Sequence, residues 1–141
     1  MKRIYILFAF IAILFSSCGS MRYSETAYVF DYTDHEDKSF IISPTVTGFD
    51  YDALAKIHIT FKVGSAKKDF DTKDLVVKKN NKGHNKYFPT SRRILNRCME
   101  EAKKFGADAL IGFTVTEEVN TKYGTLTGRF DAEGIAVKVR K

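Results

Sequence analysis

The chain has 141 residues, which is room for one domain by the usual prior of about 100–200 residues each. Hydrophobic residues make up 44% and charged residues 28%, close to ordinary globular usage. Two prolines and nine glycines exclude collagen, two cysteines exclude a disulfide-dense scaffold, and a net charge of +6 is too small to argue for nucleic acid.

Met1-Lys2-Arg3 is followed by an apolar run of 12 residues, Ile4 to Phe15, and then by Ser16-Ser17-Cys18-Gly19-Ser20. A secretory h-region has about 7–15 residues, whereas a membrane-spanning helix needs about 20. Lys2 and Arg3 supply the positive n-region. The order of charge, apolar run and small residues resembles a bacterial lipoprotein signal. Phe15, Ser16, Ser17 and Cys18 fill its slots for an apolar residue, two small residues and the lipid-bearing cysteine, with Phe15 in place of the usual leucine. The resemblance implies a signal peptide over 1–17, cleavage before Cys18, and acyl chains such as palmitate on that cysteine. Two or three such chains anchor stably. It further implies the bacterial cell envelope, with Gly19 compatible with the outer membrane. A plain secretory signal with an incidental cysteine is the alternative. Loss of Lys2 and Arg3 with the signal leaves a charge of +4.

Residues 18–38 read as the lipidated cysteine and a polar tether, interrupted by Tyr23, Tyr28, Phe30 and Tyr32. The stretch Ala27–Tyr32 has the composition of an edge strand. A single domain is expected over 39–141. Phe40-Ile41-Ile42 opens a strand, and Pro44 places it at an edge or a strand end. From Ala55 to Val63, Ile57, Ile59, Phe61 and Val63 alternate with Lys56, His58, Thr60 and Lys62, the period of a half-buried strand. Leu75-Val76-Val77 reads as a short strand and Asn80–Gly83 as a turn.

Thr90 or Ser91 caps a helix over about 91–105. Ile94, Leu95, Cys98, Met99, Ala102 and Phe105 form its apolar stripe, Glu100 and Lys104 an i,i+4 pair, and Gly106 the stop. Ala107 to about Glu118 reads as a strand, with Ala109, Ile111, Phe113 and Val115 on one face. Leu110, Gly112, Thr114 and Thr116 fall on the other, and Gly112 signals the close approach of another element. Asn120–Gly124 turns the chain. Thr125–Arg129 and Gly134–Arg140 form the last strand or strand pair. The fold class is α+β: a mostly antiparallel or mixed sheet of about four to six strands on one main helix. A five-stranded barrel is the alternative.

In the passage from Glu101 to Val115, Ala102, Phe105, Gly106, Ala107, Asp108, Ala109, Leu110, Ile111 and Gly112 resemble the helix–turn–strand signature of the YbjQ-like proteins. That family carries a heavy-metal-binding label. Glu133–Lys138 resembles its closing strand, with Ile135 in place of threonine. The likeness covers about residues 90–140. It implies a small α+β domain and homo-oligomeric rings, and it brings no catalytic residues or metal ligands with it.

The chemistry-bearing candidates are few. Asp34, His35, Glu36 and Asp37, with Asp31 nearby, offer carboxylates and an imidazole for a divalent metal. They lack the spacing of a calcium loop, so an acidic solvated linker is the competing reading. Ten basic residues lie between Lys67 and Arg97. Among them Lys78, Lys79, Lys82 and Lys86 are candidates for contact with an anionic surface. Cys98 falls on the apolar helix stripe and reads as a small core residue. His58 and His84 read as solvated. Nucleophile, zinc-finger and phosphate-loop motifs are absent. The expected protein is therefore a lipid-anchored envelope module rather than an enzyme, with no cofactor and no nucleic-acid partner. Its expected partners are the membrane, further copies of itself, and an envelope protein or polyanion. A metal- or anionic-ligand-binding module of YbjQ-like type is the second reading.

Overall fold

The computed structural model describes residues 29–48, 50–66, 70–80, 82–122 and 125–140. Cys18 and the signal read at 1–17 lie outside the described residues. No helix among the described residues is long and apolar enough to cross a membrane.

The described chain is α+β, with six strands and a helix. They are β1 (Ile41–Ile42), β2 (Tyr51–Lys62), β3 (Leu75–Lys79), β4 (Asn85–Pro89), α1 (Ser91–Lys103), β5 (Ala109–Lys122) and β6 (Thr125–Val139). A mixed four-stranded sheet has the order β1-β5-β6-β2, and β3 and β4 form a separate two-stranded hairpin. The sheet is open rather than a five-stranded barrel. The strand β1 lies at its edge, parallel to β5, while β5–β6 and β6–β2 are antiparallel.

Thr90 caps α1 by accepting from the Arg93 amide at 3.2 Å, and Ser91 is the first helical residue. The helix buries Ile94, Leu95, Cys98, Met99 and Ala102 against Leu110, Phe113, Phe130, Ala132 and Ala136 of the sheet, with Ile57, Phe61 and Val115 completing the core. Fully burying side chains of this size contributes about 1.5–3 kcal/mol each. Gly106 reverses the chain at φ +79°. Phe105 lies beyond that helix and is 57% exposed, so it does not extend the stripe. Lys104 pairs with Glu101, not Glu100.

Two sequence expectations give way to tertiary geometry. The strand β5 does not alternate uniformly. Its pairing with β6 shifts between Ile111 and Thr114, where Gly112 sits at φ +58°. Gly112 and Phe113 together oppose Gly134, a bulge that adds one residue and changes the facing downstream. Phe113 and Val115 therefore share the helix-facing core with Leu110, while Ala109 and Ile111 join Val137 on the opposite face. The final segment is one strand of 15 residues rather than a pair.

The second concerns residues 29–38, placed in the tether by their polarity. Phe30 and Tyr32 pack on Phe113, with ring centroids 6.1 and 6.2 Å from it, and His35 is buried. The packed part of the described chain thus begins before Ser39.

Candidate binding surface

The four candidate metal ligands are held apart by four different environments. Asp34 accepts from Arg92 at 2.6 Å, Glu36 from Lys73 at 2.7 Å, and Asp37 from Lys103 at 2.5 Å. Lys73 holds the Glu36 carboxyl below its usual range, and Lys103 with Ser39 does the same for Asp37. His35 is turned into the protein, 7% exposed, with its Nδ1 unpartnered. No group of three or more His, Cys, Asp or Glu side chains able to hold a metal occurs among the described residues. The cluster seen in the sequence is instead a set of ion pairs that fasten the 31–39 segment to α1 and to the approach to β3. Cys98 is fully buried in the core, and burial pushes its thiol up to about 12, which suits packing rather than nucleophilic chemistry.

On the outer sheet face, His58 stands 3.5 Å from both Asp131 and Glu133. Thr60 donates to Asp131 at 2.5 Å, and Lys56 pairs with Glu133 at 3.0 Å. This network spans β2 and β6. Sequence reading saw His58 as merely solvated because its partners lie more than 70 residues away.

The lysine candidates fall on the β3–β4 hairpin, whose second strand the sequence did not reveal. Short length, a terminal proline and mixed polarity hide Asn85–Pro89 from any periodicity. Lys78 lies directly opposite Lys86, and Lys79 opposite Asn85. Lys82 is in the turn, which the Asn80 side chain holds by accepting from the Lys82 and His84 amides at 3.0 and 2.8 Å. The Lys78 ammonium sits 4.9 Å from the centre of the Phe88 ring, and Lys86 reaches Ser65 Oγ at 3.4 Å. None of these four lysines has a carboxylate partner among the described residues. By contrast, Arg92, Arg93, Lys103, Lys138 and Arg140 each hold one. Like charges directly opposite one another destabilise a strand pair. Val76 and Val77 beside them are 45% and 49% exposed.

Between this hairpin, β2 and α1 runs an open groove of about 580 Å³. Its floor and sides include Ile59, Phe61, Phe70, Leu75, Tyr87 and Pro89, and its helix wall carries Arg93 and Arg97. The hairpin is fixed over β2 by the Tyr87 amide, which donates to the Gly64 carbonyl at 2.9 Å. Arg93 and Arg97 also line an adjoining polar cleft of about 350 Å³ with Asp71 and Glu100. Sequence reading missed this groove, because its walls are brought together from a strand, a hairpin and a helix face whose packing no local pattern states.

No protein-family model matches the sequence, and no curated protein matches it. Among solved structures, the chain is similar to a protein of unknown function of the DUF74 family from Pediococcus pentosaceus, with 14% identity and a TM-score of 0.42. That match covers 72% of this chain and 98% of the other.

Proposed function

We propose that this is a lipid-anchored protein of the bacterial cell envelope, held by acyl chains on Cys18 in the outer membrane. Its domain acts by binding rather than by turnover. The domain lays its β3–β4 hairpin on an anionic membrane surface. The observation that carries this reading is the hairpin itself. Lys78 faces Lys86, with Lys79 and Lys82 close by, and none of the four has a carboxylate partner among the described residues. Such an arrangement costs stability in the isolated molecule and is relieved by an external anion. Val76, 45% exposed, lies on the same hairpin face as Lys78 and Lys86 and can enter the headgroup region.

Each lysine near an anionic leaflet contributes roughly 1 kcal/mol, so four together shift the surface-bound fraction by about a thousandfold. The segment from Cys18 to Tyr28 has a covalent reach of at most about 36–40 Å, comparable to the width of a domain this size. The anchor therefore permits the contact. Self-assembly, as the YbjQ-like resemblance implies, would multiply it.

The test has two parts. Replacing Cys18→Ser in the full chain moves the protein out of the membrane fraction; continued lipid labelling and retention would sink the anchor. The same Cys18→Ser chain then sediments with phosphatidylglycerol vesicles and not with phosphatidylcholine vesicles. Replacing the four lysines with glutamine abolishes sedimentation. Equal binding to both vesicle types, or an unaffected glutamine variant, overturns the surface contact.

A further inference from the structure

We infer that the groove between the hairpin, β2 and α1 is a binding site for a small amphipathic carboxylate, with its apolar body on Phe61, Leu75 and Tyr87 and its head group on Arg93 and Arg97. The inference is independent of the hairpin's contact with a membrane, because it rests on Leu75, Tyr87 and the helix arginines and not on the opposite hairpin face, which carries Lys78 and Lys86.

Three observations carry it. The groove's volume of about 580 Å³ falls in the range of small-molecule sites, and such sites combine an apolar lining with a few convergent polar groups. Phe70, 51% exposed at the groove, is apolar surface that folding leaves wet. The two guanidinium groups lie at i and i+4 on α1, one turn apart on the same helix face, and both line the groove.

Two of their three carboxylate partners are well exposed and replaceable, while Glu101, 24% exposed, stays on Arg97. Arg93 Nη1 pairs with Asp71 at 2.9 Å, and Arg97 Nη1 with Glu100 at 3.1 Å. The Asp71 and Glu100 side chains are 65% and 60% exposed, so these pairs contribute little. Arg97 also pairs with Glu101. A guanidinium has five donors in a planar fork, which leaves room for a carboxylate beside an existing partner. A head group bonded this way is held by charge-assisted hydrogen bonds. A neutral hydroxyl in its place forgoes them.

The experiment uses the full chain in its membrane. Two photo-reactive probes are compared at matched membrane concentration: a medium-chain fatty acid carrying a diazirine, and the alcohol of the same length. After irradiation, labelled peptides are mapped by mass spectrometry. The acid labels the peptides bearing Leu75 and Tyr87 about tenfold or more above the alcohol, the ratio expected for hydrogen bonds to a charged group. Arg93→Gln/Arg97→Gln lowers acid labelling to the alcohol's level and leaves the alcohol and the melting temperature unchanged. Arg93→Lys/Arg97→Lys keeps part of the preference. Phe70→Ser, at an exposed position, weakens both probes together. Equal labelling by acid and alcohol, or a glutamine variant that keeps the preference, overturns the carboxylate. Labelling scattered over the surface overturns the groove as a site.

Discussion

Gly112→Ala isolates the backbone feature on which the core depends. At φ +58° an alanine costs about 1–2 kcal/mol, because its Cβ crowds the following carbonyl. The new methyl would also lie 2.9 Å from Val46 Cγ1. Val46 is 46% exposed and can turn aside, at a cost of at most about 0.5–1.5 kcal/mol for an off-rotamer side chain. The sum is about 1.5–3.5 kcal/mol, or a melting point lower by roughly 6–14 °C at this chain size. Urea unfolding followed by far-ultraviolet circular dichroism measures it, with the slope against denaturant unchanged. Val46→Ala in the same chain recovers only the steric part. Gly112→Asn in that background costs less than alanine, because asparagine tolerates the left-handed region. A loss below about 0.5 kcal/mol, smaller than the backbone cost alone, refutes the strained bulge. Complete rescue by Val46→Ala shows that crowding, not φ, required the glycine.

Three other outcomes follow from single contacts. Thr90→Ala removes the oxygen that caps the Arg93 amide and the hydroxyl that donates to the Asp74 carbonyl at 2.7 Å; it lowers stability by about 1 kcal/mol in the same urea assay. His35→Leu deletes a buried ring whose Nδ1 has no partner, and so leaves stability unchanged or raises it by up to about 1 kcal/mol; a loss above 2 would show that the ring is satisfied after all. Asp37, Asp108 and Asp131 have carboxyls held below their usual range, by Lys103 and Ser39, by the Val139 amide and Lys138, and by Thr60 and Arg129 respectively. A depressed carboxyl stabilises the folded form above its unfolded value near 4 and loses that contribution as pH falls through the folded value. The unfolding midpoint therefore stays level with respect to these groups above about pH 5 and declines below pH 4, and Asp108→Asn flattens the decline.

The regular elements could be read directly because local periodicity carries them. The alternation from Ile57 to Val63 marks β2, and the stripe Ile94, Leu95, Cys98, Met99 and Ala102 marks α1, with Thr90 and Gly106 at its limits. Where regularity breaks, the reading breaks with it. Gly112 signals a close approach, yet nothing local states that two residues there oppose one across the ladder, so simple alternation groups Phe113 and Val115 with Ala109 and Ile111. Asn85–Pro89 has no periodicity to see, and it becomes a strand because β3 lies alongside it. Asp34–Asp37 looked like a ligand set because spacing along the chain is blind to Arg92, Lys73 and Lys103, each of which takes one carboxylate away.

Local order in the chain thus dictated the helix, the long strands and the expectation of a lipid-bearing Cys18, since each rests on neighbours within a few turns or a few residues. The groove, the bulge and the ion pairs of Asp34, Glu36 and Asp37 were decided only by the folded chain. They arise from side chains many residues apart, and burial and charge neutralisation are properties of what those side chains meet in space.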